Sequence, residues 1–151
     1  MSDNVPQKQG KNSEKGPRAG KDLETMELNV SLSSGELLKG LKHYRRIARQ
    51  DLLQAGDSAD GERIRLHAES RREVYGHLAE LASTEPASEV LRAALRLYRS
   101  LPFVTGTPEE SYPDIKGRET ALENFFAMIN LEPRIRREIR SQRSRLPDTE
   151  A

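Results

Sequence analysis

The chain has 151 residues, no cysteine, and 25 Lys and Arg against 24 Asp and Glu, for a formal net charge of +1. This excludes a disulfide framework, a cysteine-ligated metal centre and thiol chemistry, and it leaves no global field to draw the protein to nucleic acid. Hydrophobic residues make up 34% and Trp is absent, so Leu, Ile, Val and Ala must supply one modest core, which suits packed helices better than an aromatic-rich sandwich.

From Met1 to Lys21 the chain is rich in Gly, Lys, Asn, Gln, Ser and Pro, with Val5 the only large apolar side chain after Met1. Such a stretch cannot offset its ordering entropy by burial, so residues 1–23 are expected to form a disordered basic tail carrying Lys8, Lys11, Lys15, Arg18 and Lys21. These lysines are not followed by the apolar core of a secretory signal, and no apolar run reaches the length of a membrane span. A cytoplasmic protein with no membrane partner is expected. At 24–32 the period changes: Met26, Leu28, Val30 and Leu32 alternate with Glu27, Asn29 and Ser31, the pattern of a short strand or extended arm. No second strand is legible. The arm therefore pairs with another chain, or it lies as an extended peptide whose alternate side chains cap a helical core.

Ser33 and Glu36 form a capping box that opens the first helix, with a stripe of Leu37 or Leu38, Leu41, Tyr44, Ala48 and Leu52, broadened by Ile47. Gly56 and the turn DSADG end it. The central stretch Gly61 to Ala82 then places Ile64, Ala68, Arg71, Val74 or Tyr75, Leu78, and Leu81 or Ala82 on one face of a helix of about six turns. So short a connector predicts an antiparallel hairpin. His67 and Arg71 fall in or beside the apolar stripe, so each needs a polar partner or a route to solvent.

Pro86 restarts the chain, and the third helix buries Val90 or Leu91, Ala94 or Leu95, Leu97 or Tyr98, and Leu101, leaving Arg92, Arg96 and Arg99 on an outward face that would fit an acidic partner. Prolines and glycines make 102–117 a surface loop, anchored by Phe103, Val104, Tyr112 and Ile115. A fourth helix is expected from Arg118 to Ile129 and a shorter fifth from Arg134 to Arg143. The fold class is all-α: an irregular four- or five-helix bundle over 33–145, followed by a disordered tail at 146–151.

No phosphate loop, dinucleotide turn, HExxH motif, calcium loop or nucleophile elbow occurs, so the chain does not read as an enzyme. Glu73 and Glu80 flank His77 at helical spacing, which could orient a base or a weak metal ligand, but no companion His–Glu helix completes a metal site. No catalytic residue, metal or cofactor is expected.

The leading reading is a small regulatory or adaptor protein that binds another protein, coupled to self-association as a homodimer or higher homo-oligomer. Leu28 and Val30 of the arm would insert into the partner, and Arg45, Arg46, Arg137 and Arg140 would set orientation. The alternative is a nucleic-acid-binding protein. It would contact backbone phosphates through Lys42, Arg45, Arg46 and Arg49 of the first helix and Arg136, Arg137, Arg140, Arg143 and Arg145 of the last, provided the two sets converge.

Overall fold

The structure, a computed structural model, describes residues 23–104 and 111–145. The basic tail up to residue 22, the centre of the 102–117 loop and the tail at 146–151 lie outside the described residues. Five helices carry the fold among those described: α1 (Ser34–Gln54), α2 (Ala59–Ala82), α3 (Ala87–Ser100), α4 (Pro113–Met128) and α5 (Pro133–Arg140). The bundle is all-α.

Local chemistry sets the first boundaries. Ser33 Oγ accepts from the Glu36 amide at 3.1 Å while Glu36 Oε1 accepts from the Ser33 amide at 2.9 Å, so the capping box forms reciprocally. Ser58 caps α2 by accepting from the Gly61 amide at 3.1 Å. At α4 the helix begins at Pro113, five residues before Arg118, because proline at a first helical position loses no intrahelical bond and arrives with a helical φ. That shortens the expected loop.

The most extensive helix contacts are α1 with α2 and α2 with α4, so α2 is the spine of the bundle. It buries Ala68, Val74, Tyr75, Leu78, Ala79 and Ala82, and Tyr44 of α1 stacks on Tyr75 with ring centroids 5.3 Å apart. Against α4 the approach is close. A Cβ at Gly117 would lie 2.5 Å from the His67 carbonyl oxygen and 2.9 Å from Ser70 Cβ, so only glycine lets the two helices cross here. Gly117→Ala is expected to cost about 1–3 kcal/mol by forcing the crossing apart, and an unchanged urea midpoint would show that the crossing yields freely. Ile64 lies one turn before this level and stays 40% exposed, so the central apolar stripe is buried only from Ala68 onward.

Beneath α2, α3 brings Val90, Leu91, Ala94, Leu95 and Tyr98 into the core, where Tyr98 meets Phe126 edge-on at 5.1 Å. Burial and a hydrogen bond to Glu123 both push the Tyr98 hydroxyl above its ordinary pKa. Tyr98 donates to that carboxylate at 2.7 Å.

The segment before α1 folds back onto its own chain. Residues 23–25 are helical, Leu23 is fully buried, and 26–30 run without regular structure. Leu28 is 6% exposed, with Met26, Val30 and Leu32 packed against the core, while Glu27, Asn29 and Ser31 face outward. The alternation is real, and its destination is this chain's own bundle. Two arginines of α3 hold the segment: Arg92 donates to the Leu23 carbonyl, and Arg96 makes a two-pronged contact with Glu24 at 2.8 and 2.9 Å. That hydrogen bond and the charge of Arg96 hold the Glu24 carboxyl below its usual range.

Candidate functional site

On α1 the core side is fixed by Leu37, Leu41 and Ala48, so Lys42, Arg45, Arg46 and Arg49 fall on one outward face at intervals of three, one and three residues. All four are exposed. Across the hairpin, α2 contributes Arg72, which is half-buried and whose Nε is shielded from solvent without a hydrogen-bond partner. These five cations line one concavity of about 250 Å³. No carboxylate among the described residues pairs with any of them.

That isolation contrasts with several other arginines of the bundle. Arg71 donates to Asp51 at 2.7 Å and to His67 Nδ1 at 3.2 Å, and Thr120 Oγ1 lies 3.5 Å from His67 Nε2. The two polar intruders on the α2 stripe are thus joined into a network that ties α1, α2 and α4. Arg92 and Arg96 are occupied as described. Among the described residues, the α1 face gathers several cations around a hollow with no carboxylate at ion-pair distance, although Glu69, Glu73 and Glu80 stand beside Arg45 and Arg72; like charges so placed are stabilised by an incoming anion.

A second trough of about 540 Å³ abuts the first. It is lined by Glu69, Glu73, Gly76, His77 and Glu80 of α2 together with Arg45 and Arg72, which therefore stand in both. Glu73 has a contact of 3.9 Å to Arg118. Among the described residues, no group of three or more His, Asp or Glu is arranged to hold a metal ion. His77 is exposed at the edge of this trough.

The C-terminal cations lie elsewhere, and most are engaged. Arg143 has a side chain only 2% exposed: Nη1 donates to Glu119 at 2.8 Å, Nε to the Leu101 carbonyl at 2.8 Å and Nη2 to the Pro102 carbonyl at 3.1 Å. Its guanidinium also lies 4.8 Å from the Phe103 ring centre and 5.1 Å from that of Tyr98. Arg140 approaches Glu119 at 3.9 Å and Arg136 approaches Glu123 at 3.8 Å. Arg145 sits where the chain bridges to Phe103, and Arg137 is exposed. The expected joint surface of first and last helices is therefore not formed. Helix α5 packs on α3, and the acids of α4 take up its charges, whereas the α1 set lies on the hairpin with α2.

The arm fares similarly as an interface. Leu28, expected to insert into a partner, is in the core, and Val30 is partly covered. Of the protein-contact set, Arg45, Arg46 and Arg137 remain exposed without an ion-pair partner among the described residues.

Sequence reading by helix missed Arg72 and Glu69. Across the antiparallel hairpin Arg45 approaches Gly76, which brings Arg72 and Glu69 of the preceding turns of α2 beside it. No family model, curated protein or solved structure matches the chain. No helix among the described residues is long and apolar enough to cross a membrane.

Proposed function

We propose that this is a non-enzymatic binding protein that takes the phosphate backbone of nucleic acid on the outer face of α1. The observation that carries the reading is the five-cation concavity of Lys42, Arg45, Arg46, Arg49 and Arg72, empty of carboxylate partners among the described residues. Four of the five are arginines, whose planar donor fork matches phosphate oxygens two at a time and is only weakly hydrated. From Lys42 to Arg49 the helix rises about 10 Å, enough to follow about three phosphates of one strand at roughly 3.4 Å of axial rise each.

The nearly neutral net charge fits a local rather than a global attraction: the grip is at contact range and strongly salt-dependent. Leu28, the residue expected to insert into a protein partner, is buried in this chain's own core, which weighs toward the basic face as the contact surface. Fluorescence anisotropy with a labelled single-stranded oligonucleotide at low salt is expected to give saturable binding to the full chain. A flat titration at protein concentrations well into the micromolar range contradicts the proposal.

A further inference from the structure

The geometry points to a strand-selective site, in which the trough beside the basic stripe reads the bases of a single-stranded nucleic acid and favours those carrying an exocyclic amine. This rests on the phosphate-binding reading of α1 and deepens it. The basic concavity and the acidic trough share Arg45 and Arg72, so a strand laid along Lys42, Arg46 and Arg49 has the trough directly at its side. Glu69 and Glu80 have no cation partner among the described residues, and Glu73 has only the 3.9 Å contact to Arg118. Their acceptor capacity is available.

A row of carboxylates beside a phosphate site is unfavourable for a pure polyanion. It is favourable for a ligand that is anionic along one edge and carries N–H donors along the other. A single nucleic-acid strand has that character. The amines of cytosine, adenine and guanine donate to carboxylates, as acidic side chains accept from cytosine N4 in base recognition. Thymine and uracil instead present two carbonyl oxygens around one N–H, and those oxygens are repelled by the same row. Gly76 adds no side chain to the trough, and the Arg45 guanidinium at the boundary offers a flat surface on which a splayed base can stack. In a duplex the base edges are already paired, and the second backbone brings its phosphates toward the acids. Duplex is therefore the poorer ligand.

The test is competition anisotropy on the full chain with oligo-dC, oligo-dT and a duplex, for the wild type and for the combined variant Glu69→Gln, Glu73→Gln, Glu80→Gln. These three side chains are exposed, so the variant should keep its helical circular dichroism. Wild type is expected to bind oligo-dC about tenfold more tightly than oligo-dT, the scale of one well-made base contact, and the duplex more weakly than oligo-dC. In the variant the dC-to-dT ratio should fall to near one, with binding to oligo-dT unchanged or tightened as repulsion is removed. A wild-type ratio near one, a ratio that survives in the variant, or a duplex bound as tightly as oligo-dC overturns the trough reading. If all oligonucleotides then bind alike and salt still releases them, phosphate binding stands alone. If none binds at low salt, both readings fall.

Discussion

Arg143→Ala is expected to lower the stability of the fold by about 3–5 kcal/mol, the cost of removing one partner of a buried, hydrogen-bonded ion pair. The side chain satisfies the Leu101 and Pro102 carbonyls and the Glu119 carboxylate at once, and it lies against the rings of Tyr98 and Phe103. Alanine would leave those acceptors without their donor and open a void between α3 and α4. The Phe103 amide also donates to the Ser144 carbonyl at 2.8 Å, so the chain end after α5 would lose its main anchor next to that bond. With small domains typically stable by about 5–15 kcal/mol, the variant should unfold at a clearly lower urea midpoint. A loss below about 1 kcal/mol would show that the latch is incidental.

The same pair gives a pH signature. Burial pushes the Glu119 carboxyl up, but the hydrogen bond and charge of Arg143, aided by Lys116, outweigh it and hold the group below its ordinary value. A carboxyl whose folded pKa is depressed contributes stability above its unfolded pKa, and that contribution is lost as pH falls through the folded value. The stability gap between wild type and Arg143→Ala should therefore be widest near neutrality and narrow below about pH 4. A gap that is constant with pH would mean that packing alone, and not the ion pair, accounts for the loss.

The second large effect is on binding. The combined variant Arg45→Ala, Arg46→Ala, Arg49→Ala is expected to weaken oligonucleotide affinity by about a hundredfold or more, since each charge-assisted phosphate contact contributes on the order of 1 kcal/mol or slightly above. Its fold should be unaffected to within about 0.5 kcal/mol, because all three side chains are exposed and none has an ion-pair partner among the described residues. The two variants thus separate cleanly. Arg143→Ala should bind normally in its folded fraction, and the triple alanine variant should fold normally without binding. A triple variant with wild-type affinity would remove α1 as the contact surface.

The helices were legible because their signals are local. Ser33 and Glu36 are three residues apart, Pro86 announces a restart, and the α2 stripe from Ala68 to Ala82 repeats at helical spacing. Pro113 carries the same kind of signal, but its neighbours Pro102 and Pro108 make the stretch resemble a loop, and α4 starts five residues before Arg118. The arm shows where local reading stops. Alternation at Met26, Leu28, Val30 and Leu32 says that one side is covered, but the core cluster that Leu28 joins includes residues more than sixty positions away, among them Leu91 and Ile129. Arg143 is the same case for charge: nothing near it in sequence distinguishes it from Arg137 or Arg140, and its partners are at 101, 102 and 119. Of the basic concavity, Lys42, Arg45, Arg46 and Arg49 are legible as one helix side. Arg72 required the hairpin register.

The most direct test of the central claim is the slope of log affinity against log salt concentration for oligo-dC, measured on wild type and on the triple alanine variant. Each phosphate neutralised on a single strand contributes about 0.7 to that slope, so the roughly three phosphates that α1 spans predict a wild-type slope of roughly −2, most of which the variant should lose. A wild-type slope near zero, or equal slopes for the two proteins, would contradict phosphate binding on α1.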